Sequence, residues 1–324
     1  MASITVPARE DAHPHLRPLS ILRDLPAVAD LIEQCFASTM DNDGRRYVQD
    51  MRRAGKDNSF IQWANRLADS TSLPLTGYIW EESNHIIGNV SLVPFKQGNH
   101  RLYLIANVAT HPDHRRRGIA RVLTQRAMQH AHEKNVHDIW LQVRADNPEA
   151  FHLYESLGFK EQARRTSWQA PTASTVETLN SDITITSRHP NFWQAQLNWL
   201  SRLYPRPLSW HANWNFSPLK PGFLNWLYLM FIDLNVRQWA AVKNDTLLAT
   251  LSWMPTGRGE SLFAATGERS DPEALTALLL HARRDLYRFH PSISLEFSVG
   301  PFDDAIHAAG FKAQRTLIWM QATR

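Results

Sequence analysis

Val108-Ala-Thr-His-Pro-Asp-His-Arg-Arg-Arg-Gly-Ile-Ala120 is the stretch on which the reading of this chain turns. A β-rich run ends at Thr110, and His111–Arg117 is a polar turn. From Gly118 the apolar residues Ile119, Val122, Leu123, Ala127 and Ala131 fall on one helical face. A helix that begins there presents backbone N–H groups with no intrahelical partner, together with the positive end of its dipole. Gly118 has no Cβ and lets a ligand approach the backbone; Ala120 is small; Arg115, Arg116 and Arg117 add full charges. Together they make a cradle for a pyrophosphate. The pattern is not a P-loop, because no Gly-Lys-Ser/Thr is present. Taken alone, the same residues also suit a solvated basic turn ahead of an ordinary amphipathic helix.

The flanking sequence supplies the context. Upstream, Leu19–Leu22 reads as a short strand, and Asp24 with Pro26 as a helix start. Residues 45–70 read as one or two further helices. Leu75–Trp80 and Ile86–Pro94 read as a hairpin, and Arg101–Thr110 as the next strand. Downstream come a strand at Ile139–Val143, a helix opened by Asn147 as N-cap with Pro148 behind it, Gly158 as its stop, and a last strand over Phe159–Gln169. This order predicts an α/β (α+β) domain: a mixed, mainly antiparallel sheet flanked by helices.

With both segments in view, a resemblance is plain. R-x-x-G-x-A at Arg115, Gly118 and Ala120 is similar to the acetyl-coenzyme A loop of the GNAT superfamily of N-acetyltransferases. Asn147-Pro-Glu-Ala-Phe-His-Leu-Tyr-Glu-Ser-Leu-Gly-Phe159 resembles that superfamily's second motif, N-x-x-A-x-x-x-Y-x-x-x-G-F, at every specified position. The resemblance covers residues 75–169 well, 16–74 loosely and 236–322 weakly.

The resemblance implies acetyl-CoA as cosubstrate, no metal, and transfer of the acetyl group to a primary amine by direct attack. It implies that the strand at Asn107, Val108, Ala109 and Thr110 pairs through its backbone with the pantetheine arm. It further implies that the loop from Arg115 to Ala120, through the N–H groups of Arg116, Arg117, Gly118, Ile119 and Ala120, holds the pyrophosphate. Asn147 would contact the cofactor arm, and Tyr154 would protonate the leaving thiolate as general acid. A phenol of pKa about 10 can supply that proton. Related enzymes often carry a carboxylate in the strand matching Ile105–Thr110. This chain has no acid there, so the base stays open among a water held by Asn107, Glu81, Glu82 and His100.

The second half repeats part of the first. Tyr78–Pro94 and Trp239–Pro255 each span strand, polar turn and strand over the same length, with Ser91 matched by Ser252. Gly158-Phe-Lys-Glu-Gln-Ala and Gly310-Phe-Lys-Ala-Gln also correspond. We therefore expect two tandem GNAT-like domains: 1–170 (core 75–169), a Thr/Ser-rich linker at 171–181, and a degenerate copy at 182–324. The second copy has Glu268, Asp271 and Glu273 where a phosphate cradle would stand, and its counterpart of the second motif, Val299–Phe311, has no Tyr.

Composition bounds the remainder. The chain has 324 residues, a net charge of +4 and one cysteine, Cys35, so intramolecular disulfides and Cys-based zinc clusters are excluded. A reducing cytoplasm is the expected setting. Basic residues form no long tract, so nucleic acid is not an expected partner. The most apolar stretch, Phe223–Leu234, is too short to span a bilayer and reads as buried core; no membrane partner is expected. Trp193, Trp199, Trp210, Trp214, Trp226, Tyr204 and Tyr228 are read mainly as packing for the second domain's helices. The expected substrate is a small-molecule or peptide amine, and a monomer is expected. The alternative function is a non-catalytic acyl-CoA-binding sensor or scaffold; a third is transfer of a longer acyl group.

Overall fold

The computed structural model describes residues 13–40, 42–54, 76–175, 182–212, 214–256, 259–267 and 271–322. The chain forms two compact units: Met1–Val143 with Asn147–Gln162 and Trp319–Arg324, and Arg144–Asp146 with Ala163–Ile318.

In the first unit, β1 (Leu16–Pro18), β2 (Thr76–Glu82), β3 (His85–Gln97), β4 (His100–Thr110) and β5 (Asp138–Arg144) are neighbours in that order. Strand alternation sends adjacent residues to opposite faces. Ile79 packs with Leu25, Val28, Ala29 and Ile32 of α1 (Ile21–Phe36) and with Val48 and Met51 of α2 (Asn42–Ala54). Trp80 and Gly88 meet α3 (Ile119–Glu133) instead: a Cβ on Gly88 would lie 2.8 Å from Ile119 and 3.1 Å from Trp80. The missing side chain lets α3 settle onto the sheet. Gly88→Val should cost about 1–3 kcal/mol by overpacking, read as a lower urea midpoint with an unchanged slope. Then follow α4 (Pro148–Ser156) and β6 (Phe159–Pro171).

The start of the unit differs from expectation. The strand is Leu16–Pro18 rather than Leu19–Leu22, and α1 begins at Ile21 with Pro26 inside it. Asp24 explains the earlier start. Its carboxylate accepts the Ser20 N–H at 2.7 Å and both Arg17 Nη atoms, at 2.6 and 2.9 Å, which closes the first turn ahead of the proline. Of the helices expected over 45–70, α2 accounts for the beginning; residues 55–70 lie outside the described residues.

The second unit contains β7 (Thr184–Ser187), β8 (Arg237–Lys243), β9 (Thr246–Thr256), β10 (Gly259–Thr266) and β11 (Ser292–Ser298), again in that order. Its helices are α5 (Trp193–Leu203), α6 (Ser209–Ala212), α7 (Phe223–Phe231), α8 (Pro272–Asp285) and α9 (Asp303–Ala308). The hairpins of the two halves correspond in detail. Ser83 and Asn84 turn the first with positive φ at both positions; Asn244 and Asp245 turn the second in the same way. Register shifts fall at Trp80/Glu81 and at Ala241/Val242, and Gly77 pairs with Ser91 as Gln238 pairs with Ser252.

The final strands are exchanged relative to a division at 171–181. Residues 163–171 of β6 belong to the second unit, where they pair with β11, and the end of β12 (Lys312–Ala322) belongs to the first. Gln321 Nε2 donates to Asp138 Oδ1 at 2.8 Å there. Of residues 171–181, Thr172 and Ala173 donate backbone bonds to Pro291 and Arg283 in the second unit; 176–181 lie outside the described residues.

Arg165, brought into the second unit by β6, is 2% exposed. It donates to Glu296 Oε1 (2.7 Å), Leu203 O (2.7 Å), Ser298 Oγ (3.1 Å) and Glu296 O (3.1 Å), and it stacks 4.9 Å from the rings of Tyr204 and Trp214. Arg165→Ala should cost about 3–5 kcal/mol, since it strands buried acceptors as well as opening a cavity. Chemical denaturation checks this.

Phe223–Leu234 corrects the expectation of a buried segment: Phe223, Leu224, Trp226, Tyr228, Met230, Phe231 and Ile232 are exposed. The aromatic group divides accordingly. Trp193, Trp199, Tyr204 and Trp214 pack around Leu200, Met254 and Phe263, whereas Trp226 and Tyr228 face outward.

Candidate active site

The site is built where β4 and β5 part. The two strands are parallel and paired from Leu102–Asp138 to Ile105–Leu141. Beyond that, β4 is bulged. Ser91 pairs with Ala106 and Asn89 with Ala109, so Asn107 and Val108 together oppose Val90. Asn107 takes the extra residue's strain with φ +52°, which asparagine tolerates better than most side chains. The bulge bends the end of β4, and the pairing with β5 does not extend past Ile105. The edge of Ala106–Thr110 that faces β5 thus has no strand partner among the described residues, while its other edge stays bonded to β3; side chains take two carbonyls of the stretch, Asn107 O from Asn89 Nδ2 at 2.9 Å and Thr110 O from Cys35 Sγ at 3.3 Å. No signal in the sequence located this bulge.

The cradle follows directly. His111 N–H donates to Ile87 O, Pro112–His114 forms a 3-10 turn, and Arg116 (φ +61°) and Gly118 (φ +80°) bring the chain round to α3. The first bond of α3 runs from Val122 N–H to Gly118 O at 3.1 Å, so the N–H groups just ahead of it have no helical partner. A Cβ built on Gly118 meets nothing within 4 Å; it would point into open space above the helix start. The three arginines separate. Arg117 is held by Glu82 (2.7 Å) and His114 (2.7 Å), and Arg115 turns back towards Thr110 O. Arg116 is exposed and forms no ion pair among the described residues. The loop therefore offers backbone N–H groups and one uncommitted guanidinium, less side-chain charge than three adjacent arginines imply.

Asn147 and Tyr154 come from the segment after β5, which leads away from the same end of the parallel pair. Asn147 Oδ1 accepts Ala150 N–H at 3.1 Å and caps α4, leaving its amide nitrogen available. Tyr154 is buried against Phe159, and its hydroxyl makes no hydrogen bond among the described residues. Burial pushes that phenol well above its ordinary range. Arg121 Nη2 donates to Ser156 Oγ at 2.8 Å and ties α3 to α4.

The candidate bases fare differently. Glu81 is paired with Arg17 and held below the usual carboxylate range by it. Glu82 is held at about 2 by Arg117, with further help from the Trp80 Nε1–H bond. Carboxylates so stabilised are poor proton acceptors. His100 pairs with Asp138 at the opening of β4, roughly 23 Å along the strand from Asn107 at about 3.3 Å per residue. Sequence reading missed Tyr47 of α2. Its hydroxyl accepts Asn107 Nδ2–H at 2.8 Å, and burial pushes it up to about 12.

Parts of this chain resemble known proteins. The acetyltransferase (GNAT) family matches residues 32–159. The chain carries a GNAT acetyltransferase domain. Ribosomal protein bS18-alanine N-acetyltransferase of Escherichia coli is 39% identical over 66 residues, which are 20% of this chain and 45% of that protein. Spermidine N(1)-acetyltransferase of Vibrio cholerae is 44% identical over 52 residues, 16% of this chain and 30% of that one. The matched stretches thus span less than half the length of these relatives. The fold extends further than the GNAT domain. A GCN5-related N-acetyltransferase from Sphaerobacter thermophilus, 14% identical, superposes over 96% of both chains with a TM-score of 0.53. In the second unit, the helix corresponding to α3 is α8, and Asp271 caps it by accepting Glu273 N–H at 2.9 Å. A carboxylate of the chain itself occupies the position an anionic ligand would take.

Proposed function

We propose that the GNAT domain transfers an acetyl group from acetyl-CoA to a primary amine. What supports this reading is that the chain leaving β4 and the chain leaving β5 start from one end of this parallel pair: the first runs from a strand edge with no strand partner among the described residues to a helix start with no side-chain cap at Gly118, and the second leads to Asn147 and the buried Tyr154 ring. Acetyl-CoA, which the family uses, supplies the activated acyl group as a thioester. Ala106–Thr110 would pair with its amide-bearing arm by strand addition. The N–H groups at 116–120 would hold its pyrophosphate, with Arg116 as counter-charge. The open space at Gly118 and the strand edge suit such a ligand.

Tyr154 would act on the leaving sulfur. Its hydroxyl is protonated at neutral pH and would donate a hydrogen bond to the sulfur as negative charge develops there, passing on the proton as the thiolate departs. Asn107, with its Nδ2 engaged by Tyr47, has Oδ1 left to orient the amine or a water that takes the amine's proton. Tyr47 is a positioning residue here, because a phenol at about 12 stays neutral and is no base. Tyr47→Phe should lower kcat by about tenfold with little change in KM for acetyl-CoA, and cost about 1 kcal/mol of stability.

The relatives named for ribosomal protein bS18 alanine and for spermidine act on amines, one of a protein and one of a polyamine. Both kinds of acceptor belong in the test. Release of free thiol from acetyl-CoA is followed with a panel of peptide, polyamine and amino-sugar acceptors. Amine-dependent release supports the enzyme. Micromolar binding of acetyl-CoA without release by any amine would favour the sensor reading, for which the missing β4 carboxylate speaks. No binding at all would remove both.

A further inference from the structure

Helix α7 (Phe223–Phe231) has the wrong polarity for a surface helix. At 100° per residue, Asn225 and Leu229 share one side, and both are half-buried. Asn225 donates to Pro218 O (3.1 Å) and Lys220 O (2.7 Å), which fastens that side down. The opposite arc carries Phe223, Leu224, Trp226, Leu227, Tyr228, Met230 and Phe231, without a single charged or amide side chain; Leu227 within it is half-buried and the others are exposed. With Ile232, the exposed members of this arc show 47–80% of their surface. Side chains of this size, at roughly 150–250 Å² for the aromatics, add up to about 800 Å². That exceeds the roughly 300–600 Å² of the largest apolar patch on an ordinary monomer. It equals the roughly 800 Å² that each partner contributes to a stable interface.

Charges stand only at the two ends. Lys220 precedes the helix and Asp233 follows it; both are exposed and neither forms an ion pair among the described residues. A two-fold axis near Trp226 and Leu227 would lay two copies of α7 antiparallel. Lys220 of each copy would then meet Asp233 of the other, and the apolar arcs would cover one another. A self-complementary patch of this kind is what an isologous dimer requires. A lipid surface fits less well, since helices that lie on membranes carry a Lys/Arg-rich polar face, and α7 has no basic residue.

We propose that α7 is a homodimer interface, pairing antiparallel with α7 of a second copy of this chain. The test is sedimentation equilibrium at micromolar concentration on the full chain, with the melting temperature as a control for folding. Wild type should sediment at twice 37.2 kDa, and Leu224→Asp with Phe231→Asp at the single mass while still melting in one cooperative transition. Lys220→Asp and Asp233→Lys should each weaken self-association by at least tenfold, and the double exchange should restore it. A monomeric wild type would overturn the proposal, even if α7 then bound phosphatidylcholine/phosphatidylserine vesicles. So would a dimer that persists in Leu224→Asp/Phe231→Asp, or a charge exchange that does not restore association.

Discussion

Tyr154→Phe should lower kcat for amine acetylation by roughly 10²–10⁴-fold, the usual contribution of a positioned proton donor, and leave the affinity for acetyl-CoA within about twofold. The structure makes this a clean test, because the hydroxyl makes no hydrogen bond among the described residues. Its removal breaks no contact of the fold and leaves the edge-to-face packing of the ring on Phe159 in place. The ring is buried, but its hydroxyl is not among the buried polar atoms that lack a partner, so the phenylalanine variant should melt at the same temperature. Steady-state kinetics and a melting curve on one preparation separate the two roles of the residue. A variant with full kcat would make Tyr154 a packing aromatic of α4. A variant with lost activity and a lower melting temperature would mean that the hydroxyl supports the fold rather than the reaction.

Gly118→Glu should weaken acetyl-CoA binding by more than 100-fold, about 2.8 kcal/mol or more. Two causes add. The φ of +80° disfavours any side chain by about 1–2 kcal/mol, and the new carboxylate would stand among the N–H groups proposed to hold the pyrophosphate. Nothing of the protein lies within 4 Å of the added Cβ, and a negative charge at a helix start is otherwise favourable. The variant should therefore fold. Gly118→Ala isolates the backbone part and should weaken binding by about tenfold. Isothermal titration of the three proteins gives both numbers, and equal affinities in all three would remove the cradle.

The candidate residues of the proposed site were picked out before the fold. Gly118 stands out because it has no Cβ at a helix start behind three arginines, Asn147 because it caps a helix, and Tyr154 through the resemblance of its segment to the second GNAT motif. Each of these signals sits within its own short segment, Arg115–Ala120 or Asn147–Phe159. The partition of Arg115, Arg116 and Arg117 was not legible, since Glu82, which claims Arg117, lies on another strand. Tyr47 was hidden for the same reason: nothing near it in sequence hints that Asn107 will be its partner. The exposed α7 was misread because hydrophobicity alone does not say whether a segment is covered by its own chain.

The sequence by itself determined the alternation of strands and helices, the turn residues and the internal repeat, all of them consequences of short-range periodicity and backbone preference. Only the tertiary structure decided which strand completes which unit. Gly158 and Gly310 open near-identical stretches, yet β6 ends beside β11 and β12 ends in the unit of β5. Two strands with the same alternation fit either sheet edge equally well. The choice between them rests on long-range contacts such as Arg165 with Glu296 and Gln321 with Asp138, and no local pattern encodes those.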